Sequence, residues 1–282
     1  IAKDESGHAK IDFDKCISCG KCAAACPFGA VHEKSQIIDV LKHIKAGKDV
    51  IAMVAPAMFG QLPCTPKQLK TAIQSLGFKE VYEVAQGADI TTKNEAAEFV
   101  ERMEKGDKFM TTSCCAGYNE LVDKHINELK PYRSDTKTPL YYTAEIVKKE
   151  HPDAITVFYS HCVAKRREAL QNDNVDYVLN YEEVGAWLIA ADVKVETCDE
   201  SEFKTEASAE ARNYAVTGGV AAAVKTLVPE DVETKPVVID GLNKQSIRDL
   251  KKYAKNGTCE LGNLIEVMAC TGGCLGGNAT VN

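Results

Sequence analysis

The sequence lacks the long apolar run that a membrane-spanning helix requires. No stretch of its 282 residues approaches the roughly 18 consecutive apolar residues of such a helix. A basic stripe is also absent, since the formal net charge is −7 and the lysines and arginines are dispersed. A nucleic-acid-binding surface needs clustered basic residues. We therefore expect neither a membrane nor a nucleic acid among the partners.

Cysteine, in contrast, is abundant and clustered. The chain contains 12 cysteines. Disulfide scaffolds are typical of short secreted chains, whereas clustered cysteines in a longer chain indicate metal binding. The spacing therefore predicts metal centres and a reducing compartment, and we expect a cytoplasmic protein.

The first group of cysteines has the spacing of a bacterial ferredoxin run, which holds a 4Fe–4S cluster. It reads Cys16-x-x-Cys19-x-x-Cys22-x-x-x-Cys26-Pro27. Only one such run is present, and residues 1–14 are similar to the spacer between the two runs of a two-cluster ferredoxin. We therefore expect a ferredoxin-like module over 1–36 that is truncated at its N-terminus.

Two ligand assignments are open for this module. In the first, Cys16, Cys19 and Cys22 bind one cluster whose fourth ligand lies upstream, and Cys26 belongs to a missing second cluster, as in two-cluster ferredoxins. In the second, Cys26 closes the same cluster.

Beyond residue 36, apolar runs of strand length alternate with segments of helical periodicity. Strands are predicted over 49–56, 80–84, 109–113, 155–160, 177–179, 237–239 and 265–269. Helices are predicted over 37–46, 66–76, 95–104, 118–128, 165–169, 182–191, 218–227 and 244–254. Such alternation predicts an α/β fold with mainly parallel sheets flanked by helices. Proline, serine, aspartate and threonine cluster near 131–139, so we divide this part into lobes over 37–135 and 136–282.

Three loops that carry cysteines follow predicted strands. They contain Cys114-Cys115, His161-Cys162, and Cys270 followed by Cys274. Ligands of parallel sheets lie at the carboxyl ends of strands, so one thiol of the first pair can converge with Cys162, Cys270 and Cys274 on a second cluster. The alternative is that some of these cysteines are buried small hydrophobic residues.

Three segments together resemble the signatures of the iron-only (FeFe) hydrogenases, and the resemblance covers nearly the whole chain. They are Thr112-Ser-Cys114-Cys115-Ala-Gly-Tyr118, Cys162-x-x-Lys165-x-x-Glu168 and Glu266-x-Met268-x-Cys270-Thr-Gly-Gly-Cys274. The resemblance implies a two-lobed H-cluster domain with four-stranded sheets. It also implies the H-cluster, a 4Fe–4S cube joined through one cysteine to a diiron unit with CO, cyanide and azadithiolate.

Carried over residue by residue, the resemblance assigns the cofactor contacts. Cys115, Cys162, Cys270 and Cys274 would hold the cube, and Cys274 would also bridge to the diiron unit. The remaining contacts would come from Lys165 and from Pro56 with Ala57, each facing a cyanide, from Met268 against the diiron unit, and from Glu168 behind Lys165.

A proton relay is implied as well. Glu95 and Glu98, three residues apart on one helix face, match the relay carboxylates of the family, with Ser134 between them and Cys114 as the last donor. Without the resemblance, the two glutamates indicate an ordinary solvated helix face. The implied reaction is 2H⁺ + 2e⁻ ⇌ H₂. Electrons would come through the N-terminal cluster from a ferredoxin-like carrier, or pass to a downstream signalling protein. Separate maturation proteins would install the diiron unit.

Several positions depart from the family's usual signatures. They are Ala116, Tyr118, Leu140, Ser160, His161, Tyr214 and Asn278. Such departures are similar to those of a sensory subgroup with slow hydrogen conversion. The alternatives are a fast hydrogenase and a non-catalytic hydrogenase-like iron–sulfur assembly protein. His161 either donates to a sulfur or titrates near neutral pH, or simply fills its loop. Cys64, Cys198 and Cys259 are interpreted as ordinary cysteines.

Overall fold

Two parallel β-sheets form the body of the protein, and a small antiparallel hairpin precedes them. The computed structural model describes residues 1–281. Its strands are β1 (Ala2–Lys3), β2 (Ala9–Lys10), β3 (Val50–Val54), β4 (Glu80–Glu83), β5 (Met110–Thr111), β6 (Ile155–Ser160), β7 (Tyr177–Asn180), β8 (Pro236–Asp240) and β9 (Leu264–Met268). The strand orders are β4-β3-β6-β7 in the first sheet and β5-β9-β8 in the second. Within each sheet all neighbouring strands are parallel, which confirms the predicted α/β class.

Helices cover both sheets. They are α1 (Lys21–Ala24), α2 (Ile37–Lys45), α3 (Pro66–Ser75), α4 (Ala85–Glu104), α5 (Ala116–His125), α6 (Pro139–Glu150), α7 (Val163–Ala169), α8 (Tyr181–Ala190), α9 (Ala209–Arg212), α10 (Gly219–Leu227) and α11 (Lys244–Asn256). Among residues 1–281, no helix combines the length and apolar character that crossing a membrane requires.

The sheets do not follow the predicted boundary between 135 and 136. β6 and β7 join the first sheet from beyond that boundary, and β5 joins the second sheet from before it. Parallel strands need crossover connections, so a strand pairs readily with one that is distant in sequence. The second sheet has three strands rather than the expected four, with one isolated parallel bridge between Thr111 and Arg133 at its edge.

Burial on both faces explains why the central strands read as continuous apolar runs. Every residue of β3 is buried. Val50, Ala52 and Val54 pack into one core cluster, whereas Ile51 and Met53 pack into another on the opposite face. β9 divides in the same way, with Leu264 and Ile265 in different clusters.

Helix α6 lies in the region that the sequence predicted to be a boundary. Its start is defined by Thr138, whose side chain accepts from the backbone N–H of Tyr141, and by Pro139 in the first turn. Its apolar face consists of Leu140, Ala144 and Val147, which are buried. The clustered polar residues before it therefore form a loop and a helix cap, not a linker.

The N-terminal module is attached to the body by side chains that bind its backbone. Lys124 of α5 donates to the carbonyls of Phe13 and Cys16, at 2.9 and 2.6 Å. His125 contacts the carbonyl of Lys15 at 2.7 Å. These contacts hold the loop of the first cysteines against the end of α5, whose first turn follows Cys115.

Candidate metal centre

The carboxyl ends of strands from both sheets face one another, and the cysteine loops leave from these ends. Cys115 lies directly before α5, and Cys162 lies between β6 and α7. Cys270 and Cys274 follow β9. The four cysteines therefore reach one place from three separate loops, as the sequence predicted from strand ends.

The four thiols are close enough to interact electrically. Burial raises the pKa of Cys274 well above that of an ordinary thiol, and the neighbouring Cys115, Cys162 and Cys270 raise it further. Burial, then Cys115 and Cys270, raise the pKa of Cys162 to about 12. Thiols whose pKa is raised in this way lose their protons readily only beside a strong positive charge, which the irons of a cluster would supply. The donor set therefore fits a cube.

Small residues allow the loops to approach. A Cβ on Gly117 would lie 3.0 Å from the Cβ of Ala269, and one on Gly273 would lie 2.7 Å from the backbone nitrogen of Thr217. Gly273 also has a φ of 72°, which favours glycine. The backbone N–H of Ala269 points at the Cys115 thiol, with 3.4 Å between nitrogen and sulfur. The loop between Cys270 and Cys274 therefore packs closely against the backbone of residues 215–217.

Among residues 1–281, no three His, Cys, Asp or Glu side chains lie close enough together to share one metal ion. A cube differs from such a site because each thiolate binds a different iron. The absence of a single-ion site among residues 1–281 is therefore compatible with four cysteines that bind a cluster.

A cavity of about 60 Å³ lies beside Cys274. Its wall is mostly apolar, as expected of a cofactor site with few oriented polar groups. The wall is formed by Ala55, Pro56, Ala57, Val84, Ala88, Cys114, Cys115, Pro139, Leu140, Phe158, His161, Lys165, Tyr214, Ala215, Met268 and Cys274. It brings together Pro56, Ala57, Lys165 and Met268 with two of the predicted cube ligands, Cys115 and Cys274. Glu168 lies behind Lys165, and Cys162 and Cys270 do not line the cavity.

Lys165 supplies a positive charge to this wall. Its Nζ lies 2.5 Å from Oε2 of Glu168, and its side chain is only 12% exposed. Burial alone would lower the pKa of Lys165, but Glu168 and the thiols of Cys162 and Cys114 raise it above its usual value. The ammonium therefore stays charged and fits an anionic acceptor such as cyanide. Thr138 donates to the same carboxylate of Glu168.

Glu95 is completely buried beside Cys114. Its Oε1 accepts from the backbone N–H of Ser113 at 2.9 Å. Its Oε2 is buried and, among the described residues, makes no hydrogen bond. Burial raises the pKa of Glu95 to about 7, in spite of the hydrogen bonds that lower it. Burial, and then the nearby charge of Glu95, raise the pKa of the Cys114 thiol well above its usual value, so the two groups are close to each other.

Glu98 lies one helical turn away from Glu95, but hydrogen-bond donors surround its carboxylate. Ser134 donates to its Oε2 at 2.7 Å, and Arg102 lies 2.7 Å from its Oε1. Burial alone would raise the pKa of Glu98, but hydrogen bonds from Asp135, Ser134, Thr136 and Arg102 lower it below its usual value. Ser134 also influences Glu95, but the 2.7 Å contact assigns its hydroxyl proton to Glu98. The structure thus places Cys114, Glu95, Ser134 and Glu98 near one another, with a hydrogen bond from Ser134 to Glu98.

Some residues of the site were not predicted. Two of them, Arg102 and Thr138, could have been predicted from the sequence. Arg102 follows Glu98 by four residues, and Thr138 precedes a proline that starts a helix. The role of Glu266 could not be read from spacing. It is buried in β9, and its carboxylate accepts from the backbone N–H groups of Gly218 and Ala221, at 2.7 and 2.8 Å. It thereby fixes the start of α10 to the strand that leads to Cys270.

The cysteines of the N-terminal run are half-buried. Backbone N–H groups point at Cys16 from Ser18 and at Cys26 from Ala30, each at 3.3 Å. Hydrogen bonds from Ala30 and Phe28 lower the pKa of Cys26. Both assignments of Cys26 stay predictions.

Four further expectations concern residues beside or outside the centre. Cys259 is buried in a core cluster. Cys64 and Cys198 lie near each other at another part of the surface, where burial and then Cys198 raise the pKa of Cys64 to about 11. His161 does not titrate near neutral pH, because burial and the charge of Lys165 lower its pKa to about 3.

Comparison with known proteins places this geometry in a family. Residues 48–278 match the family model described as "Iron only hydrogenase large subunit, C-terminal domain". The chain belongs to the iron-only hydrogenase large-subunit family. Residues 9–32 match the 4Fe-4S binding domain, which agrees with the ferredoxin-like run.

Relatives include hydrogenases and an assembly factor. The NADP-reducing hydrogenase subunit HndD of Solidesulfovibrio fructosivorans is 27% identical over 93% of this chain and 55% of its own length. The periplasmic iron hydrogenase large subunit of Nitratidesulfovibrio vulgaris is 28% identical, over 97% and 86%. A probable cytosolic Fe-S cluster assembly factor of Drosophila melanogaster is 24% identical, over 99% and 75%. The chain thus spans little more than half of the first relative.

Solved structures show the same fold. A variant of the FeFe hydrogenase HydA1 from Chlamydomonas reinhardtii superposes with a TM-score of 0.70 at 21% sequence identity, covering 88% of this chain and 85% of that one. At this identity, the similarity concerns the fold.

Proposed function

We propose that this chain is a hydrogen-converting redox protein that interconverts 2H⁺ + 2e⁻ and H₂ at an H-cluster. One observation carries the proposal. The charged Lys165 and Cys114 line the same cavity as Cys274, and the buried Glu95 lies beside Cys114. A protein that only stored an iron–sulfur cube would have no use for a buried ammonium in that cavity and a buried acid beside its thiol.

The residues in and around the cavity divide into three groups in this proposal: cube ligands, polar residues that bind an anion, and apolar residues. Cys115, Cys162, Cys270 and Cys274 would hold the cube, and Cys274 would also hold the diiron unit. When bound, the H-cluster supplies the site where protons and electrons combine. Lys165 holds an anionic ligand, with Glu168 and Thr138 fixing the ammonium in place. Apolar side chains such as Met268 and Leu140, both almost fully buried, exclude water.

Protons reach the cavity through the neighbouring polar groups of the relay, the last of which is Cys114. Glu95 gains and releases a proton near neutral pH because its pKa is about 7, which suits a group that must do both. Glu98 stays ionised at that pH and orients the hydroxyl of Ser134 by accepting its hydrogen bond. Cys114, at the wall of the cavity, is the last donor.

The proposed rate is low and the proposed role is hydrogen sensing. This part rests on side chains that differ from the usual family signatures. Leu140 is fully apolar and lies in the cavity wall, where the family often has a glutamine. Tyr214 also lies in the wall and its hydroxyl is 2.8 Å from that of Thr92. The groups around the cofactor tune its potential and proton affinity, so these differences favour slow conversion.

The compartment and the partners of the chain are proposed from the same role. The chain would work in the cytoplasm, receive its diiron unit from maturation proteins, and exchange electrons with a ferredoxin-like carrier or a signalling protein. The N-terminal cluster would be the point of electron exchange, because its cysteines are half-buried and adjoin the cube ligands.

A hydrogen assay on the matured protein tests the proposal. With a dye as electron donor or acceptor, we expect slow but measurable turnover in both directions. Cys114→Ala should lose about 100-fold or more, the usual contribution of a positioned proton donor. Cys198→Ala, outside the centre, should leave turnover unchanged. Absence of turnover in protein with a complete cofactor would refute hydrogen conversion, and full turnover in Cys114→Ala would refute the relay.

A second candidate function is iron–sulfur cluster assembly. The similarity to the Drosophila assembly factor over 99% of this chain favours it. This candidate predicts iron–sulfur clusters in the N-terminal run and at Cys115, Cys162, Cys270 and Cys274, but no diiron unit after maturation. Counting iron per chain and measuring CO release on denaturation separate the two candidates.

A further inference from the structure

Asn278 lies between two sets of cluster ligands. Its side-chain Nδ2 donates to the carbonyl oxygen of Cys19, in the N-terminal run, at 2.6 Å. Its backbone N–H faces the thiol of Cys270. Burial, Cys115 and Cys19 raise the pKa of Cys270 to about 11, whereas Lys21 and this N–H lower it. One residue therefore contacts a ligand loop of each centre.

The two loops are packed tightly around this contact. Gly20, which follows Cys19, has a φ of 77°, and a Cβ there would lie 2.7 Å from Cγ2 of Val163 and 3.1 Å from the Cβ of Asn278. Val163 directly follows the cube ligand Cys162. The seam formed by Gly20, Val163 and Asn278 thus joins loops that carry ligands of both centres.

Neighbouring contacts fix both sides of the seam. Nζ of Lys21 donates to the carbonyl of Leu242 at 2.5 Å. The next residue after Asn278 is held as well, because the N–H of Ala279 donates to the carbonyl of His161 at 3.2 Å. With its backbone held in this way, position 278 can contact Cys19 only through a side chain that carries a donor. The glycine that usually ends the family signature has no such side chain.

We propose that Asn278 is a positioning residue that couples the two iron–sulfur centres of this chain. It provides a continuous path from the Cys19 carbonyl, through its own side chain and backbone N–H, to Cys270. One electron from a low-potential, ferredoxin-class donor crosses this path. The N-terminal cluster is oxidised by one electron and the cube is reduced by one, and no proton moves and no bond changes. The inference rests on the iron–sulfur part of the proposed function and is independent of hydrogen conversion.

Chain with both 4Fe–4S clusters and without the diiron unit is the sample for the test. We expect electron paramagnetic resonance of the fully reduced wild type to show magnetic interaction between the two clusters. Asn278→Gly should weaken this interaction while keeping its iron content. Asn278→Asp, which has the same shape but no Nδ2 donor, should weaken it too, and its added negative charge should shift both midpoint potentials downward. Asn256→Gly, an exposed asparagine at the end of α11, is the matched control and should resemble the wild type.

The outcomes separate clearly. A wild-type interaction in Asn278→Asp would overturn the proposal whatever its potentials, as would an interaction that is absent from the wild type. If Asn278→Gly does not assemble both clusters, the isosteric Asn278→Asp decides alone. Because the sample contains no diiron unit, failure here leaves hydrogen conversion untouched, and failure of hydrogen conversion leaves this test intact.

Discussion

At the scale of single residues, two glutamates on one face of α4 have opposite acidities. Glu95 is fully buried and its pKa is raised to about 7, whereas hydrogen bonds and Arg102 lower the pKa of Glu98 despite its burial. Pairs of carboxyls whose environments separate their pKa values divide the work of acid and base. In the proposed relay, Glu95 is the group that changes protonation and Glu98 is the fixed anion.

Replacing Glu95 by glutamine should slow hydrogen conversion by about 100-fold, because the amide cannot carry a proton. The fold should survive, since the amide oxygen can still accept from the N–H of Ser113. Glu101→Gln, on an exposed side chain of the same helix, is the control and should keep wild-type turnover. Equal turnover of Glu95→Gln and wild type would remove Glu95 from the relay.

Stability should respond to pH through the same carboxyl. An unfolded glutamate has a pKa of 4.5, and in the folded protein that of Glu95 is about 7. Between these values the folded state binds a proton that the unfolded state has released, so stability falls as pH rises through this window. Glu95→Gln removes this loss. Relative to wild type, it should gain about 2 kcal/mol between pH 5 and pH 8, measured by denaturant unfolding. A gain independent of pH would contradict the shifted pKa.

The family resemblance predicted which residues belong to the centre, but not how they behave. Spacing alone left the choice of cysteines open and gave the two glutamates as a solvated helix face, whereas the structure places Glu95 in the interior. The difference between Glu95 and Glu98 depends on a loop, 134–136, that folds back on the helix from 36 residues further along. The neutral His161 likewise follows from burial beside Lys165, which no local pattern records.

At the scale of elements, the position of α4 depends on its contact with α6. Gly87 lies where the two helices cross, and a Cβ there would be 2.0 Å from the carbonyl oxygen of Pro139 and 2.4 Å from Oγ1 of Thr143. The helices cannot move apart locally without displacing Leu140 from the cavity wall and Glu95 from Ser113. The crossing therefore connects helix packing to the geometry of the relay.

Gly87→Ala should destabilise the protein by about 1–3 kcal/mol, the usual cost of overpacking a tight contact. Gly185→Ala is a matched control, because Gly185 also lies inside a helix but a Cβ there meets nothing within 4 Å. It should stabilise by about 0.5–1 kcal/mol through the better helix propensity of alanine. Thermal unfolding of both variants and the wild type shows which substitution destabilises the protein and which stabilises it. If Gly87→Ala left the stability unchanged, α4 and α6 would not be tightly packed where they cross.

The helices and strands were predicted correctly where the apolar periodicity was clear. Prediction failed where a helix is buried on several sides or follows a run of prolines and polar residues. The sequence predicted β6 over 155–160, which agrees with Ile155–Ser160. Helix α4 begins at Ala85, ten residues before the predicted start, because its first half is buried on several sides and shows no single apolar stripe. Helix α6 was missed because the prolines and polar residues before it were interpreted as a boundary.

At the scale of the whole molecule, Arg166 holds the linker, residues 33–36, that connects the 4Fe–4S binding segment of residues 9–32 to the body. Its guanidinium pairs with Glu33 and lies 2.7 Å from Glu183 of α8. It also donates to the carbonyl of Lys34 at 3.2 Å. Because Arg166 is on α7, next to Lys165, one helix carries both a cavity residue and the anchor of the linker.

Arg166→Gln should release the linker without unfolding the body, since most of the lost contacts involve residues 33–36. Limited proteolysis of cluster-loaded protein should show faster cleavage between 27 and 36, while the thermal midpoint of the body changes little. Arg248→Gln, on an exposed arginine of α11, should be cut at the wild-type rate. Unchanged cleavage in Arg166→Gln would mean that other contacts hold the linker.

The α/β class was accessible from the sequence, but the arrangement of the sheets was not. Alternating strands and helices predict parallel sheets without saying which strands are neighbours. β3 pairs with β6 about a hundred residues later, and β5 pairs with β9 near the C-terminal end. Such long crossovers mix the two predicted lobes, and this mixing brings the ends of strands from both sheets to one centre.

The central claim is that Cys274 and the cavity beside it carry a diiron unit. The most direct measurement is an infrared spectrum of the protein after maturation. We predict bands of both CO and cyanide, which Cys274→Ala should lose while its N-terminal cluster remains detectable by electron paramagnetic resonance. A fully matured wild type with iron–sulfur clusters but without CO and cyanide bands would contradict the account.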